Sequence, residues 1–245
     1  MVDWQVVLAG LLGIVPAFGI LVLAYGRYDG KFRDETMFLL FMAGLFAGFP
    51  VGLVEAWLFY ALVVLLGFPL FEQLLKTVVL NLRRYQGQAT MRFYGGSFGL
   101  GLGTILVFVP AALLLRQRGL YADLGGVVAD PIPLLALLAM GVGTLLMHFA
   151  TGIVIGEGVA VGKPFRGAAF AIAAALPHQV LWYEFFAGAR DPAGGVSLLW
   201  PAVALAYGLV LTRHVLRNVL PNALPPGERR KLKKLFAGWK TGEPG

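Results

Sequence analysis

Apolar residues fill runs of about 20 positions along this chain, and most charged residues fall between the runs. Such runs predict helices that cross a bilayer, because a hydrocarbon core of ~30 Å takes roughly 20 helical residues to span. Seven fit, at about 4–25, 37–58, 62–82, 91–115, 132–157, 165–187 and 197–217. The second boundary is weakly marked. Residues 37–82 run almost unbroken, interrupted only by Gly52, Glu55 and Gly67-Phe68-Pro69. A turn near 55–60 or one near 67–69 satisfies the pattern, since the residue before a proline is biased away from helix. The predicted fold is all-α: a multi-pass transmembrane helix bundle of about seven spans over residues 1–220, then a basic amphipathic tail at 221–245.

Composition agrees. Of 245 residues 58% are hydrophobic and 13% charged, with mean hydropathy +0.77, against roughly 25% charged in soluble domains. The first run, Trp4 to Tyr25, is too long for a signal-peptide core and lacks a basic segment before it, so it reads as a retained span. No cysteine is present, which excludes disulfides, thiolate metal sites and cysteine nucleophiles.

The net charge of +7 invites a nucleic-acid reading, but the cations sit between spans and in the tail, a pattern of membrane topology. With the N-terminus outside and the C-terminus cytoplasmic, sixteen of the 20 Lys and Arg fall inside. Arg116, Arg118 and Arg190 fall outside, and Lys76 lies within the membrane. The expected location is therefore the plasma membrane, with the lipid bilayer as partner and no nucleic acid.

Polar residues within the spans carry the candidate chemistry. Between 57 and 82 the only ionisable groups are Glu72, Lys76 and the Tyr60 phenol. An ionised group at mid-bilayer costs about 2.5–3.5 kcal/mol on insertion scales, so it calls for a partner. Glu72 and Lys76 stand four apart in the order that favours a helical ion pair. His148 shares a helix face with Gly152 and Gly156, small residues that let helices approach closely, as Gly95, Gly99 and Gly103 do. His178 follows Pro177, which frees a backbone carbonyl in mid-span. Glu55, Glu157 and Glu184 lie nearer span ends and read as snorkelling to the interface.

One Glu, one Lys and two His thus occupy intermediate depth on three spans. Brought together, they would supply general acid–base work on water, or a divalent metal site. His148, His178 and Glu72 could hold zinc with one open position, but no HExxH spacing is present, so the set would have to assemble across helices.

The order of these features resembles the PrsW-like family of intramembrane proteases. Arg27-Tyr28-Asp29 and Asp34-Glu35-Thr36 look like its early loop. Glu72-Gln73-Leu74-Leu75-Lys76, after Pro69, falls on its EExxK motif. Gly95 to Gly103 resembles its glycine-rich span, His148 with Gly152 and Gly156 its third element, and His178 with Trp182 its fourth. The resemblance covers roughly residues 20–190 and implies a hydrolase acting on a transmembrane or membrane-proximal peptide. In that reading Glu72 activates water, Lys76 is its charge partner, and His148 and His178 bind a metal or stabilise the oxyanion.

Departures from the pattern are specific. The second motif glutamate is Gln73, which can orient water but cannot take its proton. Leu106 and Val107 stand where the family has a Glu-Asn pair, and Trp182 lies four residues after His178 rather than three. The alternative is therefore a catalytically inactive relative serving as scaffold or subunit of a membrane complex. At the C-terminus, residues 227–239 place Leu232, Leu235, Phe236 and Trp239 on one stripe flanked by Arg and Lys. This predicts an amphipathic helix on the anionic inner leaflet, or one docked to an acidic subunit.

Overall fold

The computed structural model describes residues 3–58, 62–117, 131–190 and 197–230, and these form an all-α bundle. Its long helices are α1 (Trp4–Tyr25), α2 (Asp34–Trp57), α3 (Leu62–Leu80), α4 (Met91–Gln117), α5 (Ile132–Ala160), α6 (Pro164–Arg190) and α7 (Leu199–Asn218). In a medium without water a helix satisfies its own backbone, which is why the apolar runs fold this way.

Among the described residues, five segments are long and apolar enough to cross a membrane: Trp4–Tyr28, Asp34–Glu55, Met91–Gln117, Ile132–Ala160 and Leu199–Ala223. The expected seven are thus corrected to five by this measure. Helix α6 falls outside the set because Arg166, His178, Gln179 and Glu184 lower its hydropathy. The uncertain boundary also resolves. Helix α2 ends at Trp57 and α3 begins at Leu62, so Pro69 lies inside a helix and marks no turn.

Helix α4 runs through the centre and packs along α1, α2 and α5. Its glycine face makes this possible. A Cβ on Gly99 would overlap the carbonyl oxygen of His148, and one on Gly103 would stand 3.2 Å from His148 Cδ2. Only hydrogen at these positions lets α4 and α5 approach so closely, and the approach fixes where His148 sits. At the end of α5, Gly162 takes a left-handed φ of 70° and Lys163 N–H bonds the Gly158 carbonyl at 2.7 Å, turning the chain into α6.

Contacts between helix ends define two poles. At one, Tyr25 donates to the Phe93 carbonyl at 2.7 Å, Arg92 pairs with Glu157, and Lys31 lies 2.9 Å from Glu228. At the other, Gln5 donates to the Leu115 carbonyl at 3.1 Å and Arg116 pairs with Asp3. Helices α1 and α4 are therefore antiparallel. Outward-facing positions hold large apolar side chains, with Leu23 83% exposed and Phe165 76% exposed. Gln73, Lys76, His148 and His178 are turned inward instead, the sorting expected of a bundle surrounded by lipid. Of the tail, residues 226–230 are helical; the apolar stripe from Leu232 to Trp239 lies outside the described residues.

Candidate functional site

Four helices contribute to one buried polar cluster. Helix α3 supplies Glu72, Gln73 and Lys76, α5 supplies Thr144, His148 and Thr151, α6 supplies His178 and Gln179, and α2 supplies Glu55. All are buried, and Gln73 and Lys76 have no exposed surface at all. Helical phase explains the grouping, because 72, 73 and 76 share one face of α3 and 144, 148 and 151 share one face of α5.

The ammonium of Lys76 organises the centre. It donates to Gln73 Oε1 at 3.0 Å, to Thr151 Oγ1 at 2.9 Å and to His148 Nδ1 at 2.9 Å. An ammonium has three hydrogens, so its donors are fully used. The direct Glu72–Lys76 ion pair expected from their spacing is not formed. Lys76 turns instead toward α5, where the close approach to α4 has placed His148 and Thr151.

This arrangement also orients the histidine. With Nδ1 accepting from Lys76, a neutral imidazole keeps its proton on Nε2. That nitrogen faces Glu72 Oε2 at 3.7 Å, just beyond hydrogen-bond reach. Among the described residues the Glu72 carboxylate makes no hydrogen bond.

His178 is assigned by the same reasoning. Thr144 uses its single proton on the Met140 carbonyl at 2.9 Å, so in its 3.4 Å contact with His178 the ring Nε2–H is the donor. His178 Nδ1 is then a bare acceptor, buried and without a partner among the described residues. Gln73 Nε2 is buried and unpartnered as well. Such atoms are few in folded proteins, so two in one cluster mark polar capacity that the protein itself does not meet.

Glu55 corrects the snorkelling expectation. It is 2% exposed and accepts from Gln179 Nε2 at 2.7 Å. A signal for this was present in the chain: Gly44, Gly48, Gly52 and Glu55 share one helix face, and the three glycines pack against α4. Glu157 likewise pairs with the buried Arg92, whereas Glu184 is exposed. Leu106 and Val107 are buried and bring no polar group to the core.

The expected metal set of His148, His178 and Glu72 is not assembled. Among the described residues no three His, Asp or Glu side chains stand close enough to hold a metal ion. Lys76 explains part of this, since a cation occupies the Nδ1 side of His148, and His178 is directed toward Thr144. As built, the cluster suits proton transfer and hydrogen bonding better than metal ligation.

No protein-family model matches the chain, and neither the curated proteins nor the solved structures give a match.

Proposed function

We propose that this chain is a multi-pass membrane protein of PrsW-like type whose buried centre is an altered hydrolytic site for a transmembrane or membrane-proximal peptide. A bundle with its N-terminus outside and its C-terminus cytoplasmic in the plasma membrane accompanies that reading. Support for the orientation comes from Arg92, Lys31 and Glu228 meeting at one pole while Arg116 lies at the other, read with the rule that cations favour the cytoplasmic side.

The observation that carries the hydrolytic reading is the Glu72 carboxylate, buried, facing the Nε2 side of His148, and with no hydrogen bond among the described residues. A carboxylate so placed can take a proton from an attacking water, and His148 can give its Nε2 proton to the leaving amine as the Lys76 ammonium passes a proton to Nδ1, leaving Glu72 protonated and Lys76 neutral. Gln73 is no base, but its unpartnered Nε2–H suits a developing oxyanion. Glu55 adds a second carboxylate in place of the one that Gln73 lacks.

A second reading, an inactive scaffold or complex subunit, is favoured by one observation: the Lys76 donors are saturated within the protein. Reconstituted wild type and Glu72→Gln, incubated with a mixed set of synthetic single-span peptides and read by mass spectrometry, separate the two. The hydrolytic reading expects fragments from wild type and none from the variant at equal folding. Equal cleavage by both removes it, and intact peptides with both proteins favour the scaffold.

A further inference from the structure

We propose that a cavity of about 290 Å³ between the C-terminal ends of α1 and α7 binds the phosphate headgroup of an anionic lipid. It rests on the membrane reading above but not on hydrolysis. Arg27 lines it from the end of α1, and Arg213 and Arg217 line it from one face of α7, four residues apart. Among the described residues no carboxylate borders it, and neither Arg213 nor Arg217 has an ion-pair partner. Arginine is the side chain best matched to phosphate, because its planar fork can donate two hydrogen bonds to one anion.

A second observation is independent of charge. Tyr28 also lines the cavity and is 2% exposed, yet its buried hydroxyl has no hydrogen-bond partner among the described residues. The ring is held edge-on to Phe93 at 5.2 Å between centroids. Thr212, by contrast, is committed to the Leu146 carbonyl at 3.1 Å. Cations in the last turn of a helix also offset its dipole, which accounts for Arg217. That effect fades within one turn and explains neither Arg213 nor an orphaned phenol.

The walls decide between a lipid and a free phosphate. Leu23 and Leu209 border the cavity and are 83% and 53% exposed on the outer face of the bundle, where acyl chains would lie. Basic pockets between spanning helices bind anionic headgroups by this combination of cations below and apolar surface alongside.

The test uses the full chain in detergent, with lipid retention read by native mass spectrometry. Phosphatidylglycerol should bind more tightly than phosphatidylcholine. Arg213→Gln/Arg217→Gln should weaken phosphatidylglycerol about thirtyfold, as expected for two near-surface cations. Tyr28→Phe, which keeps the ring packing, should weaken it several-fold, and Arg83→Gln/Arg84→Gln at the same pole should leave it unchanged. Equal binding of the two lipids overturns the proposal, as does an equal loss in the Arg83/Arg84 control. Full competition by inorganic phosphate alone overturns the lipid assignment. A chain that stays soluble without detergent would instead sink the membrane reading, a separate result.

Discussion

Lys76 and His148, 72 residues apart in the chain, meet with Nζ 2.9 Å from Nδ1 in the interior of the bundle. This contact, and not the helical Glu72–Lys76 pair, is what the buried lysine is built around. It fixes the tautomer of the histidine and aims the protonated nitrogen at Glu72.

Lys76→Met should be strongly destabilising, by about 3–5 kcal/mol, because it strands the buried acceptors on Gln73, His148 and Thr151. A double-mutant cycle with His148→Leu should show a coupling of roughly 0.5–3 kcal/mol, larger than the one between Lys76 and Glu72. Thermal melting in detergent provides the numbers. A larger Lys76–Glu72 coupling would restore the helical ion pair.

Glu55→Leu should lose about 1–3 kcal/mol by leaving the Gln179 amide buried and unpaired. Replacing Gln179 by Leu in the same protein should recover much of that loss. If Glu55 reached the interface as its position near a span end suggests, neither change would move the melting temperature.

Glycine substitutions should divide by location. Gly99→Ala sets a methyl against the His148 backbone and should lose about 1–3 kcal/mol through overpacking. Gly10→Ala meets nothing within 4 Å and should be neutral or gain ~0.5–1 kcal/mol of helix propensity. Melting curves of the two variants side by side check the close α4–α5 approach.

Acid sensitivity should arise partly at Asp3. Its hydrogen bonds from Arg116 and then from the Val6 amide hold its carboxyl below the ordinary value of 3.8. A depressed folded value means the stabilisation is present above pH 3.8 and is lost as the pH falls through the folded value. The group is exposed, so the effect is small. Asp3→Asn should flatten the melting temperature between pH 5 and pH 3 relative to wild type, and a parallel decline in both proteins would remove Asp3 as a source.

The helical architecture was legible because lipid imposes one rule on the whole chain: apolar runs of spanning length become helices. Glycine spacing likewise foretold the close face of α5 that carries His148. What escaped was lateral. Spacing alone paired Lys76 with Glu72, while the structure turns the ammonium across the bundle to His148 and Thr151, contacts that depend on which helices are neighbours. Glu55 escaped because distance to a span end says nothing about azimuth, though its register with Gly44, Gly48 and Gly52 held that information. The metal set failed for a related reason, since a shared depth on separate helices does not ensure that side chains point to one spot.

The most direct test of the hydrolytic centre is the cleavage rate of single-span peptides by Glu72→Gln relative to wild type, in liposomes, with both proteins shown to be folded by melting. Loss of a general base predicts a fall of at least ~10²-fold. A variant that cleaves at the wild-type rate would contradict the assignment of Glu72 and leave the cluster as structure alone.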